Sequence, residues 1–112
     1  MDKEFDWEQY QELAMKLATE RCYDLNNAAL GLTGEAGEVA EIIKKHLYQG
    51  HELDKERVKK ELGDILWYIV LASELMGTTL KEIARLNIEK LQKRYPDGFS
   101  HEASQARIDE LE

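Results

Sequence analysis

The sequence predicts an all-α protein, on three observations. Helix-favouring Leu, Ile, Ala, Glu and Lys are abundant among its 112 residues, and there is one proline. Apolar residues recur at helical spacing in four successive segments. Capping residues or glycines stand at the ends of those segments. We expect one domain, a four-helix-bundle type over about residues 6–99, followed by a short tail or helix over the acidic residues 100–112.

Composition limits the possible partners. The chain carries 23 acidic and 15 basic side chains, a net charge of −8, which argues against nucleic acid as a partner. No apolar run approaches the roughly 18 residues of a membrane span. The N-terminal residues 1–4 lack the apolar core of a signal peptide. A lone Cys22 cannot form an internal disulfide. We therefore expect a soluble, cytoplasmic protein without a membrane partner.

The first two predicted helices begin at polar residues. The first starts near Asp6 and fades around residues 20–23, and the second runs from about Asn27 to Tyr48. Glycine recurs in the second helix at every third position, although it weakens a helix. Either another group approaches this backbone closely, or the helix starts late. The predicted core side of the second helix comprises Leu32, Ala36, Val39, Ala40, Ile43 and Leu47.

The third predicted helix runs from about Asp54 to Met76, between Gly50 and Gly77. Its main apolar stripe comprises Val58, Leu62, Ile65, Ile69 and Met76, while Trp67 and Val70 project to the far side. A helix that is apolar on several sides is buried on several sides. One small domain provides little cover for such a helix, so we expect a homo-oligomer, a dimer or a tetramer.

The fourth predicted helix begins at residues 79–82, which have the spacing of a capping box, and ends near Tyr95, just before Pro96. Asn87 lies within its apolar stripe, and Lys90 and Arg94 flank that stripe. We expect residues 100–112 to form a short helix or a partly disordered end.

Two pairs of carboxylates are the candidate functional residues. Glu35 and Glu38 are three residues apart on the second helix, and Glu61 and Asp64 are three apart on the third. Residues at this spacing share a helix face. If the two pairs face each other, four carboxylates converge and repel unless a cation lies between them. Oxygen ligands favour Mg²⁺, with Mn²⁺ as an alternative.

Three segments, in this order, resemble the MazG-type nucleotide pyrophosphohydrolases of the all-α NTP pyrophosphatase superfamily. They are GLTGEAGEVAE at 31–41, ELGDILWY at 61–68, and NIEKL with RYPDGF within 87–99. The resemblance implies an oligomeric helical bundle in which Glu35, Glu38, Glu61 and Asp64 hold Mg²⁺. It also implies hydrolysis of a nucleoside triphosphate between its α and β phosphates, giving a monophosphate and pyrophosphate, as nucleotide-pool housekeeping.

The resemblance also implies substrate contacts by the fourth-helix residues Asn87, Lys90 and Arg94. A carboxylate that is not fully engaged with metal can take a proton from water, and Glu38 or Glu35 is expected to be this general base. Tyr68, one turn beyond Asp64 on the same face, is expected to stack on the base or sugar of the substrate. Plain packing is the competing interpretation for Tyr68 and Asn87. Lys60 departs from many relatives, which carry a further glutamate there, and it points away from the Glu61 face.

Other functions stay open at this stage. A dUTPase-like enzyme, a phosphoribosyl-ATP pyrophosphohydrolase and a non-catalytic metal-binding regulatory bundle would all use similar helices. A coiled-coil interaction protein fits less well, because no heptad continues through the glycine-rich residues 31–37. None of the three histidines has a glutamate three residues before it, so the pattern of di-iron bundles is absent.

Overall fold

The computed structural model of the protein describes residues 5–110, which form five α-helices and no β-strand. This confirms the predicted all-α class. The helices are α1 (Trp7–Lys16), α2 (Leu25–Tyr48), α3 (Lys55–Leu75), α4 (Leu80–Arg94) and α5 (His101–Ala106). Short 3-10 turns occur at Glu20–Cys22 and Ile108–Glu110. The predictions for the N-terminal residues 1–4 and for the last two residues of the acidic tail, 111–112, lie outside the described residues.

Aspartate caps the first three helices. The carboxylate of Asp6 accepts a hydrogen bond of 2.8 Å from the backbone N–H of Gln9, and Asp54 accepts one of 3.1 Å from that of Arg57. Each bond satisfies a backbone donor that the first helical turn leaves free. At α2 the capping residue is Asp24, so this helix begins before the predicted Asn27. A late helix start therefore does not explain the glycines of α2.

Helices α2 and α3 form an antiparallel hairpin. They are joined by residues 49–54, in which Gly50 adopts a left-handed φ of +74°. Gly77 follows α3 with a φ of +72°. Glycine adopts this conformation without the steric cost that a side chain would add, which explains why both helices end where the sequence predicted.

The chain divides into two compact units, Met1–Leu80 and Lys81–Glu112. In the first unit, α1 packs against α3. Its core contains Ala14, Val70 and Leu80, with Trp67 packed against them. Val70, on the far side of α3 from its main apolar stripe, is fully buried, as expected for a helix that is apolar on several sides. The prediction of a single domain stays a prediction.

The packed faces of α2 and α3 agree only in part with those predicted. On α2 the most buried residues are Ala28 and Ile42; Val39 and Ile43 from the predicted core side are half-buried, whereas Leu47 is 62% exposed. On α3, Leu62 of the predicted main stripe is 50% exposed, whereas Val58, Ile65 and Ile69 of that stripe are half-buried. The packed side of α2 is thus shifted towards Glu35, which lies between Ala28 and Ile42.

Gln11 joins α1 to the segment between α3 and α4. It is buried, its amide oxygen accepts a 2.7 Å hydrogen bond from the backbone N–H of Leu80, and its amide nitrogen donates to Glu74 at 2.9 Å. The Leu80 N–H is the first of α4 and has no carbonyl within its own helix to bind. Gln11 therefore holds the last residues of the first unit, from Glu74 to Leu80, against α1.

The second unit contains α4, α5 and the final 3-10 turn. Ser100 caps α5 by accepting a 3.0 Å hydrogen bond from the N–H of Ala103, in agreement with the predicted short helix. Arg94 binds Asp109 through two hydrogen bonds of 2.6 and 2.9 Å, and their side chains are only 11% and 4% exposed. Across residues 5–110, no helix is both long enough and apolar enough to cross a bilayer.

Replacing Gln11 with alanine should destabilise the protein. The substitution leaves the buried N–H of Leu80 without its acceptor, which costs about 1–3 kcal/mol. Denaturant titration should show this loss in the free energy of unfolding. The control Gln92→Ala, at an exposed position of α4, should change it by less than about 0.5 kcal/mol. Equal effects of the two substitutions would contradict the bridging role of Gln11.

Candidate metal centre

The packed face of α2 carries a carboxylate at its middle. Ala28, Glu35 and Ile42 are spaced seven residues apart, about two helical turns, and so lie on one face. Ala28 and Ile42 are buried and Glu35 is half-buried between them. The packing on either side therefore directs the Glu35 side chain towards α3.

Three of the four predicted carboxylates come together between α2 and α3. One side-chain oxygen from each of Glu35, Glu61 and Asp64 lies within 4.8 Å of the other two. Glu35 and Glu61 are half-buried, and Asp64 is exposed. The two helices thus bring together acidic groups that are distant in sequence, and each helix contributes at least one.

The neighbouring carboxyl groups perturb the pKa of Glu35. A hydrogen bond with Glu61, partial desolvation and the charges of Glu61, Asp64 and Glu38 raise the pKa of Glu35 from 4.5 to about 7. A proton on Glu35 thus offsets part of the negative charge, and a bound cation would offset it more completely.

Glu38 lies outside the close group of three. Its charge acts on Glu35, but its carboxylate is 3.9 Å from the guanidinium of Arg57, and both side chains are about half exposed. An exposed pair at this distance is weak. Glu38 is therefore beside the carboxylate group and held loosely.

Two further residues approach the site that the sequence analysis did not single out. Arg57 precedes Glu61 by four residues, so helical spacing alone could have identified it. Tyr10 of α1 has a raised pKa because of burial and the negative charge of Asp64. No spacing rule could have indicated Tyr10, because its approach to Asp64 depends on how α1 packs against α3.

A cavity of about 280 Å³ lies where the hairpin turns. It is lined by Ile42, Lys45, His51, Glu52, Asp54 and Arg57. Lys45 forms an ion pair with Glu41, one helical turn before it, at 3.9 Å. Cationic groups are thus present on the same hairpin as the three carboxylates, towards the end opposite Tyr68.

The donor set fits a hard divalent cation. Three carboxylates offer only oxygen, which suits Mg²⁺ or Mn²⁺ better than ions that prefer nitrogen or sulfur. The raised pKa of Glu35 indicates that the residues present leave the charge of the group uncompensated. Glu35, Glu61 and Asp64 could hold such an ion directly, with Glu38 beside it.

The predicted substrate-binding residues fall in both units. Tyr68 is half-buried one turn after Asp64, and its ring packs directly on the backbone of Gly31. Asn87 and Lys90 are exposed on α4, which disfavours the competing interpretation of Asn87 as a packed core residue. Arg94 is engaged by Asp109. The roles of these four residues in binding stay predictions.

Comparison with known proteins gives two matches. Residues 24–99, which include all of α2, α3 and α4, match the MazG nucleotide pyrophosphohydrolase domain. The Gene 37 protein of Mycobacterium phage L5 is 32% identical over 78 residues, which are 66% of this chain and 68% of the phage protein. No solved structure matches the chain.

Without a cation, the protein should lose stability as the pH rises from about 4.5 to about 7. Glu35 binds its proton more tightly in the folded protein than in the unfolded chain, because its pKa is raised to about 7 by folding. Protonation of Glu35 therefore stabilises the fold at low pH. This contribution is lost as the pH rises through the folded pKa. Melting temperatures measured in a chelator across this range should fall, and Glu35→Gln should flatten the slope.

The matched control is Glu56→Gln, an exposed residue of α3 that pairs only with Lys59 among the contacts described. It should keep the wild-type slope. A Glu35→Gln variant with the wild-type slope would show that Glu35 is not the group responsible.

Proposed function

Because the chain belongs to the MazG nucleotide pyrophosphohydrolase family, we propose that it is a divalent-metal-dependent hydrolase of nucleoside triphosphates. Water would add across the bond between the α and β phosphates of an NTP or dNTP, releasing a nucleoside monophosphate and pyrophosphate. The proposed setting is the cytoplasm, and the proposed role is maintenance of the nucleotide pool.

The observation that carries the proposal is the convergence of Glu35, Glu61 and Asp64. A triphosphate is itself highly anionic, so an acidic site would repel it unless cations join the two. When bound there, Mg²⁺ or Mn²⁺ would neutralise phosphate charge and lower the pKa of water. The need for cations between the triphosphate and the protein explains why a nucleotide-hydrolase domain would carry an acidic cluster.

Glu38 is the proposed general base. It lies next to the three converging carboxylates but not among them, and its only described partner is Arg57 at 3.9 Å. A carboxylate that is not committed to the cation can accept a proton from the attacking water. Its weak pairing with Arg57 would leave it free to move the short distance that such a role requires.

The nucleoside is proposed to lie towards Tyr68, with Asn87, Lys90 and Arg94 as further substrate contacts. Tyr68 is one turn from Asp64 and beside Trp67, so this end of the hairpin offers aromatic surface. Arg94 would have to exchange Asp109 for phosphate in order to contribute. The oligomer, a dimer or a tetramer, is also part of the proposal, and exposed apolar side chains such as Leu30 and Leu47 of α2 favour it.

Pyrophosphate release from a panel of NTPs and dNTPs tests the reaction. We expect turnover with Mg²⁺ and none in a chelator. Including dUTP and phosphoribosyl-ATP separates the neighbouring specificities that the sequence left open. If no substrate turns over in intact, folded protein, the non-catalytic metal-binding bundle becomes the better account.

Glu38→Gln should lower kcat by about 10²–10⁴-fold, the usual contribution of a general base, while leaving the helical content unchanged. Steady-state kinetics and circular dichroism measure the two effects. Glu56→Gln, on the exposed side of α3, should keep the wild-type rate. If the Glu38→Gln variant hydrolysed substrate at the wild-type rate, Glu38 would not be the general base.

A further inference from the structure

Gly31 of α2 lies in direct contact with the ring of Tyr68 on α3. A Cβ atom added at Gly31 would lie 2.2 Å from Cε1 and 2.4 Å from Cζ of that ring. Such distances are far inside van der Waals contact, so no other residue fits unless the ring or a helix moves. This is the close approach to the α2 backbone that the repeated glycines suggested.

The Tyr68 ring also contacts Trp67. The two rings pack edge-on, with centroids 5.2 Å apart and planes at 88°. The indole N–H of Trp67 in turn donates a 3.1 Å hydrogen bond to the backbone carbonyl of Ala14, a buried residue of α1. The ring that contacts Gly31 thus also packs on an indole that is hydrogen-bonded to α1.

This contact is one helical turn away from the carboxylates on both helices. Gly31 precedes Glu35 by four residues, and Tyr68 follows Asp64 by four. A step of four residues advances about 6 Å along a helix and ends on nearly the same face. The separation of the helices at Gly31 and Tyr68 thus governs their separation where Glu35 faces Asp64.

We infer that Gly31 and Tyr68 are positioning residues, whose contact sets the spacing of the carboxylates and so the affinity of the site for a divalent cation. This inference rests on the cation site of the proposed function. Mg²⁺ demands oxygen ligands at about 2.0–2.1 Å in nearly ideal octahedral geometry. If α2 moved away from α3 by even less than the width of a methyl group, the carboxylate oxygens would no longer meet that geometry.

The other helical glycines of the hairpin provide matched controls. A Cβ added at Gly34, Gly37 or Gly63 meets no described atom within 4 Å. Alanine favours helix over glycine at all of these positions. A Gly→Ala change thus has the same effect on helix propensity at Gly31 and at Gly34, and only the contact with Tyr68 differs.

The test is the dissociation constant for Mn²⁺ or Mg²⁺, measured by calorimetry without nucleotide, with thermal melting recorded in parallel. We expect Gly31→Ala to weaken cation binding at least tenfold. Gly34→Ala should bind within twofold of wild type and melt at the same or a higher temperature. If Gly31→Ala binds as tightly as wild type, or if both variants weaken binding equally, the inference is overturned.

Variants of Tyr68 test the same contact without adding an atom to α2, and they decide the question if Gly31→Ala does not fold. Tyr68→Phe keeps the ring and should bind the cation within twofold of wild type, whereas Tyr68→Ala should weaken binding at least tenfold. The double variant Gly31→Ala with Tyr68→Ala should bind no more weakly than Tyr68→Ala alone, because the clash is gone. Additive losses, or wild-type affinity in Tyr68→Ala, would overturn the inference.

Failure of the proposed function gives a different result. If wild-type protein binds the cation but hydrolyses no nucleotide, the positioning role stands and the proposed activity falls. If wild-type protein binds no divalent cation, the site itself is wrong and the inference falls with it.

Discussion

Repulsion among carboxylates between α2 and α3 is the constraint on which the rest of the structure depends. Two helices place Glu35, Glu61 and Asp64 close together, and a hydrogen bond with Glu61, partial desolvation and the neighbouring charges raise the pKa of Glu35. Such an arrangement persists only where the surrounding packing holds it. Buried Ala28 and Ile42, each two turns from Glu35, provide that packing along α2.

Contacts from α1 also hold α3 of the hairpin. Gln11 binds the first N–H of α4, and the carbonyl of Ala14 binds the indole of Trp67. These contacts position α3, which carries two of the three acidic groups. From the same helix, Tyr10 has a pKa that responds to the charge of Asp64.

In the first unit, the sequence predicted where the helices begin and end better than it predicted which side of each helix is buried. Asp6 and Asp54 marked two helix starts correctly, and the pairing of Glu35 with Glu61 and Asp64 followed from spacing and resemblance. The most buried side of α2 is shifted from the predicted one, because a projection ranks residues by hydrophobicity, which favoured Leu47. In the structure α3 instead approaches α2 closely at Gly31, where the missing side chain permits contact with Tyr68. The contact of Gly31 with Tyr68 joins residues far apart in sequence, so no periodicity could reveal it.

The position of Trp67 has a spectroscopic consequence. Its indole is joined to α1 by a hydrogen bond and lies edge-on to the Tyr68 ring, whereas Trp7, the other tryptophan, is half exposed. The emission of Trp67 therefore reports on the seam between α1 and the hairpin, and Tyr68, with its ring centroid 5.2 Å away, is an efficient donor of excitation energy to it. The protein thus contains its own fluorophore at the place where the helices that carry the carboxylates are held together.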